Sequence, residues 1–172
     1  TEWRAEVLSE LGGDERPFVI GHPGSRFTQI PARDAEGTGG IERSNRYPNC
    51  SFFTNWTSTD EEIRWDISLP VAGRFKVEVY YTCSIDDAGS LVELEFQDSR
   101  LTARLDEAHD PPLRGMENDR VERIESYVKD FRRWDMGEIG LSAGDGVLRL
   151  KALEIPGEQV MDFRLMMLTR LE

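Results

Sequence analysis

Residues 63–81 read IRWDISLPVAGRFKVEVYY. In the first half Ile63, Trp65, Ile67 and Leu69 alternate with Arg64, Asp66 and Ser68. In the second, Phe75, Val77, Val79 and Tyr81 alternate with Lys76, Glu78 and Tyr80. A period of two puts every second side chain on one face, so each half is a strand with one buried side. Pro70-Val71-Ala72-Gly73 between them is a turn signal. The same period recurs at Val92, Leu94 and Phe96, at Leu148, Leu150 and Ala152, and at Met161, Phe163, Leu165 and Met167. Turn signals separate these runs at Asp86-Asp87-Ala88-Gly89, Ala143-Gly144-Asp145-Gly146 and Pro156-Gly157. Many short strands with no helices between them predict an all-β fold, an antiparallel sandwich or jelly roll. At the N-terminus Trp3, Val7, Leu8 and Leu11 have helical spacing, Thr1 can cap and Gly12-Gly13 terminate. The expected organisation is a short helix and linker over 1–13, followed by one β-sandwich domain over 14–172.

Composition limits the function. The chain has 172 residues, 21 Lys plus Arg against 33 Asp plus Glu, and a formal net charge of −12. That balance argues against sequence-independent nucleic-acid binding. No uncharged apolar run of about 18 residues exists to span a membrane as a helix. There is no nucleophile elbow, phosphate-binding glycine loop, paired-cysteine zinc pattern or EF-hand loop. Glu107, His109 and Asp110 share one loop, where a hydrogen-bonded histidine is the simpler expectation than a metal site. A glycosidase-type carboxylate pair would need two buried carboxyls about 5–10 Å apart in a cleft. Cys50 and Cys83 permit one disulfide closing a loop of about 34 residues, worth roughly 3–4 kcal/mol in the chain-entropy model, or they are two small buried thiols.

Two segments carry candidate binding chemistry. In Asn49-Cys50-Ser51-Phe52-Phe53-Thr54-Asn55-Trp56, aromatic rings stand among amides, the combination that stacks on a pyranose and hydrogen-bonds its hydroxyls. The same rings also suit a strand end in the core. Residues 106–125 are polar, with Pro111-Pro112 and Gly115; a structureless stretch of this length is usually functional or disordered. Beyond it, Tyr127 and Lys129 share one face of a strand-like run and can meet the same rim. Arg114, Arg120, Arg123, Lys129, Arg132 and Arg133 gather here, with as many carboxylates among them.

The run ARDAEGTGGIERSNRYPNCSFFTNWTSTDEEIRWDISLPVAGRFKVEVYYTC, together with EAHDPPLRGMENDRVERIESYVKDF and EIPGEQVMDFRLMMLTRLE, resembles the C-terminal region of bacterial secreted sulfatases of the N-acetylgalactosamine-6-sulfatase and arylsulfatase A type. The resemblance covers about residues 26–172. It implies a galactose-binding-like sandwich fused after a sulfatase catalytic domain, in a secreted or periplasmic protein, where a Cys50–Cys83 disulfide would persist. The formylglycine motif and the clustered aspartates of that catalytic site are absent, so the chain itself is expected to be non-catalytic. Residues 65–75 and 139–150 are also similar to the corners of family 6 carbohydrate-binding modules. Such modules imply a structural calcium held by glutamates near the first strand and an aspartate near the last. Asp162 matches the aspartate, but Arg33 stands where a glutamate would be, and a cation repels a cation. No metal is therefore expected, and an Arg33–Asp162 ion pair should replace it. The functional expectation is an accessory domain that targets the enzyme to a polysaccharide, sulfated or plain. Trp56 and Phe53 would stack, with Tyr127 on the rim. Asn55 and Asn118 would contact hydroxyls, and Arg120 or Lys129 would meet a sulfate or carboxylate. The alternative is a structural domain packed on the catalytic domain, which an exposed apolar patch would favour.

Overall fold

A computed structural model describes residues 16–124 and 127–171. The expected helix over residues 2–11 lies outside them. The strands are β1 (Phe18–Val19), β2 (Phe27–Pro31), β3 (Glu36–Gly37), β4 (Glu42–Arg43), β5 (Phe53–Thr54), β6 (Glu62–Leu69), β7 (Gly73–Thr82), β8 (Ser90–Phe96), β9 (Ser99–Leu105), β10 (Arg132–Leu141), β11 (Gly144–Glu154) and β12 (Asp162–Arg170). They form two six-stranded sheets. One has the order β1-β6-β11-β8-β9 with β3 also on β6; the other has β10-β7-β12-β5-β4 with β2 also on β12. Every pairing is antiparallel except β1 on β6. Consecutive β6 and β7 lie in different sheets, so Pro70–Gly73 is a corner, as the similarity to family 6 modules implies. This is the jelly-roll sandwich the alternation predicts.

The core lies between the sheets. Ile63, Trp65, Ile67 and Leu69 of β6 meet Phe75, Val77, Val79 and Tyr81 of β7, and Val92, Leu94, Phe96, Leu148 and Leu150 fill the space beside them. Trp65 and Phe163 join the two sheets edge to face at 5.6 Å, and the Trp65 indole N–H donates to the Pro31 carbonyl at 3.2 Å. A buried indole thus supplies both apolar area and a satisfied donor.

Two strands depart from simple alternation. In β12 the register slips between Phe163 and Leu165, so Phe163, Met166 and Leu168 are buried while Leu165 and Met167 are only partly so. The expected inward set of Leu165 and Met167 is thereby corrected: an extra residue in a bulge inverts every face beyond it. In β10 a second slip lies between Asp135 and Gly137, where Gly137 takes a φ of +114° that disfavours any side chain. Strand β9 was not picked out in the sequence. It follows β8 through the two residues Gln97-Asp98, and Leu101, Ala103 and Leu105 do recur at period two.

The expected disulfide is absent. Cys50 is exposed, in a left-handed turn at φ +59°, while Cys83 is buried with its thiol directed at the Val160 and Ser84 carbonyls. Burial first, and then the nearby Asp87, Asp162 and Asp110 carboxylates, push the Cys83 thiol up to about 11. Native-state labelling with a thiol reagent at neutral pH should therefore modify Cys50 alone, with Cys83 reacting only on unfolding. Reductant should leave the Tm unchanged; a drop of several degrees would restore the disulfide.

Candidate functional site

At the end of the sandwich where β7 stops and β10 and β12 begin, two loops converge. The first, residues 44–52, is the hairpin loop between β4 and β5, which pair Arg43 with Phe53. Its shape follows from local chemistry. Asn45 Oδ1 accepts the Tyr47 amide at 2.9 Å, an Asx turn, and the Ser51 amide returns to the Pro48 carbonyl at 3.1 Å. Two arginines anchor it from below. Arg164 donates to the Ser51 carbonyl at 2.6 Å. Arg43 donates to the carbonyls of Ala32, Arg33 and Ala35 and lies 4.7 Å from the centre of the Phe53 ring. Burial pulls the Arg43 guanidinium below its usual value, with Asp34 partly opposing.

The second loop joins β9 to β10. Among its described residues it forms two isolated β-bridges, Cys83 with His109 and Arg114 with Val128, and one turn of 3-10 helix, Met116–Asn118. Side chains do the rest. Asn45 Nδ2 donates across to the Ile124 carbonyl at 2.8 Å, Phe52 meets Phe131 edge to face at 5.4 Å, and the Tyr127 hydroxyl accepts the Arg123 amide at 3.2 Å. The Arg123 guanidinium covers one side of the Tyr127 ring at 5.3 Å. Between the loops lies an open groove of about 250 Å³ lined by Ser44, Asn45, Phe52, Leu113, Glu122, Arg123 and Tyr127. Drug-sized ligands occupy roughly 300–1,000 Å³, so this groove suits a single ring or a chain end. A larger groove of about 910 Å³ runs along β1, β3 and β6. Its Trp65 is buried, two of its arginines are paired with Glu36 and Asp34, and it abuts Arg16, where the described residues begin. The half-buried Phe18 ring and the exposed Asp66 also line it.

Several expected site residues are elsewhere. Trp56 and Phe53 are 1% and 3% exposed and belong to the core, so neither ring can stack on a surface ligand. The local pattern is the same for a strand end and a binding rim; only the second sheet decides it. Asn55 is exposed, but it sits in a left-handed turn at φ +58° and its amide donates to the Gly40 carbonyl at 2.7 Å. Asn118 and Arg120 are exposed on the long loop, with the Asn118 amide held by Glu117 at 3.2 Å. Tyr127 and Lys129 are half-buried, in extended loop rather than strand. Asn45 was missed; its only sequence signal is an amide four residues before the aromatic segment. Among the described residues five of the six clustered cations are paired with carboxylates. Arg114 pairs with Asp130, Arg123 with Asp119, Arg132 with Glu107 and Arg133 with Glu78, and Arg120 alone of the six cations makes no ion pair among the described residues. His109 Nε2 contacts the Asp130 carbonyl, so Glu107, His109 and Asp110 point to three different partners.

The Arg33–Asp162 pair is also corrected. Arg33 is exposed and, among the described residues, its side chain reaches its neighbour Asp34, at 3.4 Å. Asp162 is buried and takes its cation from Lys129, whose Nζ lies 2.7 Å from Oδ2; the Thr82 hydroxyl donates to the same oxygen at 3.1 Å. Asp162 Oδ1 has no partner, an oxygen a metal could use. The rest of the donor set does not fit a metal. No group of three or more acidic, histidine or cysteine side chains gathers among the described residues, and the ammonium stands against the carboxylate. A calcium site is not supported.

By sequence the chain stands apart: no family model and no curated protein matches it. Its fold is shared. It is similar to a GH26-CBM35 β-(1,4)-mannanase of Podospora anserina, at 15% identity and a TM-score of 0.55 over 85% of this chain and 28% of that one. It is similar to the mosquito-larvicidal Cry4Aa toxin of Bacillus thuringiensis, at 12% identity and a TM-score of 0.58 over 85% of this chain and 24% of the toxin. It also matches the C-terminal CBM6 of LamC, a marine laminarinase of Zobellia galactanivorans, at 11% identity and a TM-score of 0.53 over 83% of this chain and 98% of the module. The chain thus spans about a quarter of the length of the first two and nearly all of the third. The class defined is a jelly-roll domain of the architecture seen in carbohydrate-binding modules, and at these identities the likeness concerns the fold alone.

Proposed function

We propose that residues 14–172 are a non-catalytic, carbohydrate-binding accessory domain, and that residues 1–13 are a helix and linker leading into it. The parent is proposed to be a secreted or periplasmic bacterial sulfatase, and the domain holds that enzyme on its polysaccharide. The carrying observation is the groove at the loop end, where the Tyr127 ring, the Asn45 amide and the Arg123 and Glu122 side chains converge on a volume suited to one sugar ring. The architecture shared with modules of families 6 and 35 supports the same reading. Tyr127 replaces Trp56 and Phe53 as the stacking ring. Arg120, exposed two positions before Glu122 of the groove lining and in no ion pair among the described residues, is the group proposed for a sulfate or carboxylate.

A glycan array that includes sulfated galactosaminoglycans tests this at low and physiological salt. Tyr127→Ala should weaken binding by roughly three- to tenfold, the worth of one aromatic contact. Arg120→Ala should weaken only anionic glycans and flatten their salt dependence. Unchanged affinity in Tyr127→Ala would remove the groove from the proposal.

One observation favours the second reading, a domain packed on its catalytic neighbour. Leu113, Met116, Val121, Ile124 and Val128 are all exposed on the long loop, Val121 at 80%. Such a concentration of apolar side chains marks contact surfaces. Binding to no glycan, with burial of this loop in the full-length enzyme, would establish that reading.

A further inference from the structure

We propose that the Lys129 ammonium is a built-in cation: it ties the loop between β9 and β10 to the start of β12, and it makes the shape of this end of the sandwich independent of any divalent metal. Three observations carry the proposal. First, the pair is shielded: the side chains of Lys129 and Asp162 are only 19% and 9% exposed, and their charged atoms are 2.7 Å apart. A carboxylate this deep needs a cation, because burial penalises its charged form and water no longer screens it. Lys129 is the only cation paired with Asp162 among the described residues. Second, Lys129 is placed from several sides. Asp110 Oδ1 lies 3.6 Å from the same nitrogen, the Phe52 ring centre 6.0 Å, and the Thr82 hydroxyl holds the shared Asp162 oxygen. The ammonium therefore joins both loops and the ends of β7 and β12 at one point. Third, the loop's other fastenings lie elsewhere along it: among the described residues its one backbone bridge to a neighbouring segment is His109–Cys83, the Tyr81 hydroxyl and the Asn45 amide hold the Glu107 and Ile124 carbonyls, and Arg114–Val128 only closes the loop on itself.

The inference does not depend on sugar binding, and its test needs no sugar. Trypsin cuts after Arg114, Arg120 and Arg123 in the loop, and cleavage of a locally opened segment follows the population of the open form. Lys129→Met keeps the aliphatic stem and deletes the charge; it should raise cleavage at those sites about tenfold while the sandwich stays folded. Asp162→Asn should give the same cleavage pattern. The double variant should be no more sensitive than Lys129→Met, because each single change already breaks the one interaction. Wild-type Tm should not move with EDTA or with millimolar calcium, since a ligand of the native state would raise it. Wild-type protection in either single variant would overturn the proposal. So would a wild-type Tm that calcium raises and EDTA lowers by several degrees. If Lys129→Met does not fold, Asp162→Asn decides the tether, with loop cleavage supporting it and wild-type protection overturning it.

Discussion

Trp56→Ala is expected to destabilise the domain by about 3–5 kcal/mol, the usual cost of deleting a buried tryptophan. For a domain of this size that lowers the Tm by roughly 10 °C. Trp56 is 1% exposed, and its backbone carbonyl accepts the Val160 amide at 2.8 Å, so the residue links the segment after β5 to the approach to β12. Its indole nitrogen is buried without a hydrogen-bond partner. Trp56→Phe should therefore cost much less, because it removes an unsatisfied donor along with the lost volume. Denaturant unfolding of the two variants checks both statements. The experiment also separates core from rim: any sugar affinity lost in Trp56→Ala should return once the folded fraction is corrected for. Wild-type stability in Trp56→Ala would place the ring outside the core.

Asp87→Ala is the second large effect, about 2–4 kcal/mol, because three donors lose one acceptor group. Asp87 is buried. Its Oδ1 accepts the amides of Glu158 at 2.9 Å and Gln159 at 3.2 Å, and its Oδ2 accepts the Ser84 hydroxyl at 2.7 Å. Two turns on opposite sides of the chain are held together by one carboxylate. They are pressed so close that a Cβ on Gly157 would stand 2.6 Å from the Asp87 Cα. Burial pushes the Asp87 carboxyl up, but the Ser84 hydroxyl and the Gln159 and Glu158 amides outweigh it and leave the group below its ordinary value. The folded state therefore favours the ionised form. Its contribution is fully present above the unfolded pKa, near 4, and is lost as pH falls through the lower folded value. Unfolding free energy measured between pH 6 and 2.5 should fall more steeply in the wild type than in Asp87→Asn. Parallel curves would deny Asp87 that role.

Much of the sandwich is legible in the chain. β6, β7, β8 and β11 each show strict period two, and one slipped residue would expose a whole core face, so the pattern admits a single register. The turn at Pro70–Gly73 is equally local, but that the chain changes sheets there instead of making a hairpin is set by the strand pairing. β12 shows the limit. Its apolar residues are contiguous enough to fit either face, and only the bulge at Phe163–Leu165 selects Met166 and Leu168 for the core. The site was less legible. Phe53 and Trp56 stand among amides as a sugar platform would, yet the opposing sheet buries them. Tyr127, 71 positions beyond Trp56, reaches the groove only because a long loop folds back.

By itself, then, the sequence determined an acidic all-β domain without a recognised catalytic motif, because strand period, turn residues and charge balance are properties of neighbours along the chain. The tertiary structure decided the partners. Asp162 is 33 positions from Lys129 and 129 from Arg33, and no spacing rule prefers one. The choice follows from where the folded loops bring an ammonium within 2.7 Å of a carboxylate that water no longer screens. It decided the cysteines likewise, turning Cys83 inward at the end of β7 while Cys50 faces solvent on a left-handed turn.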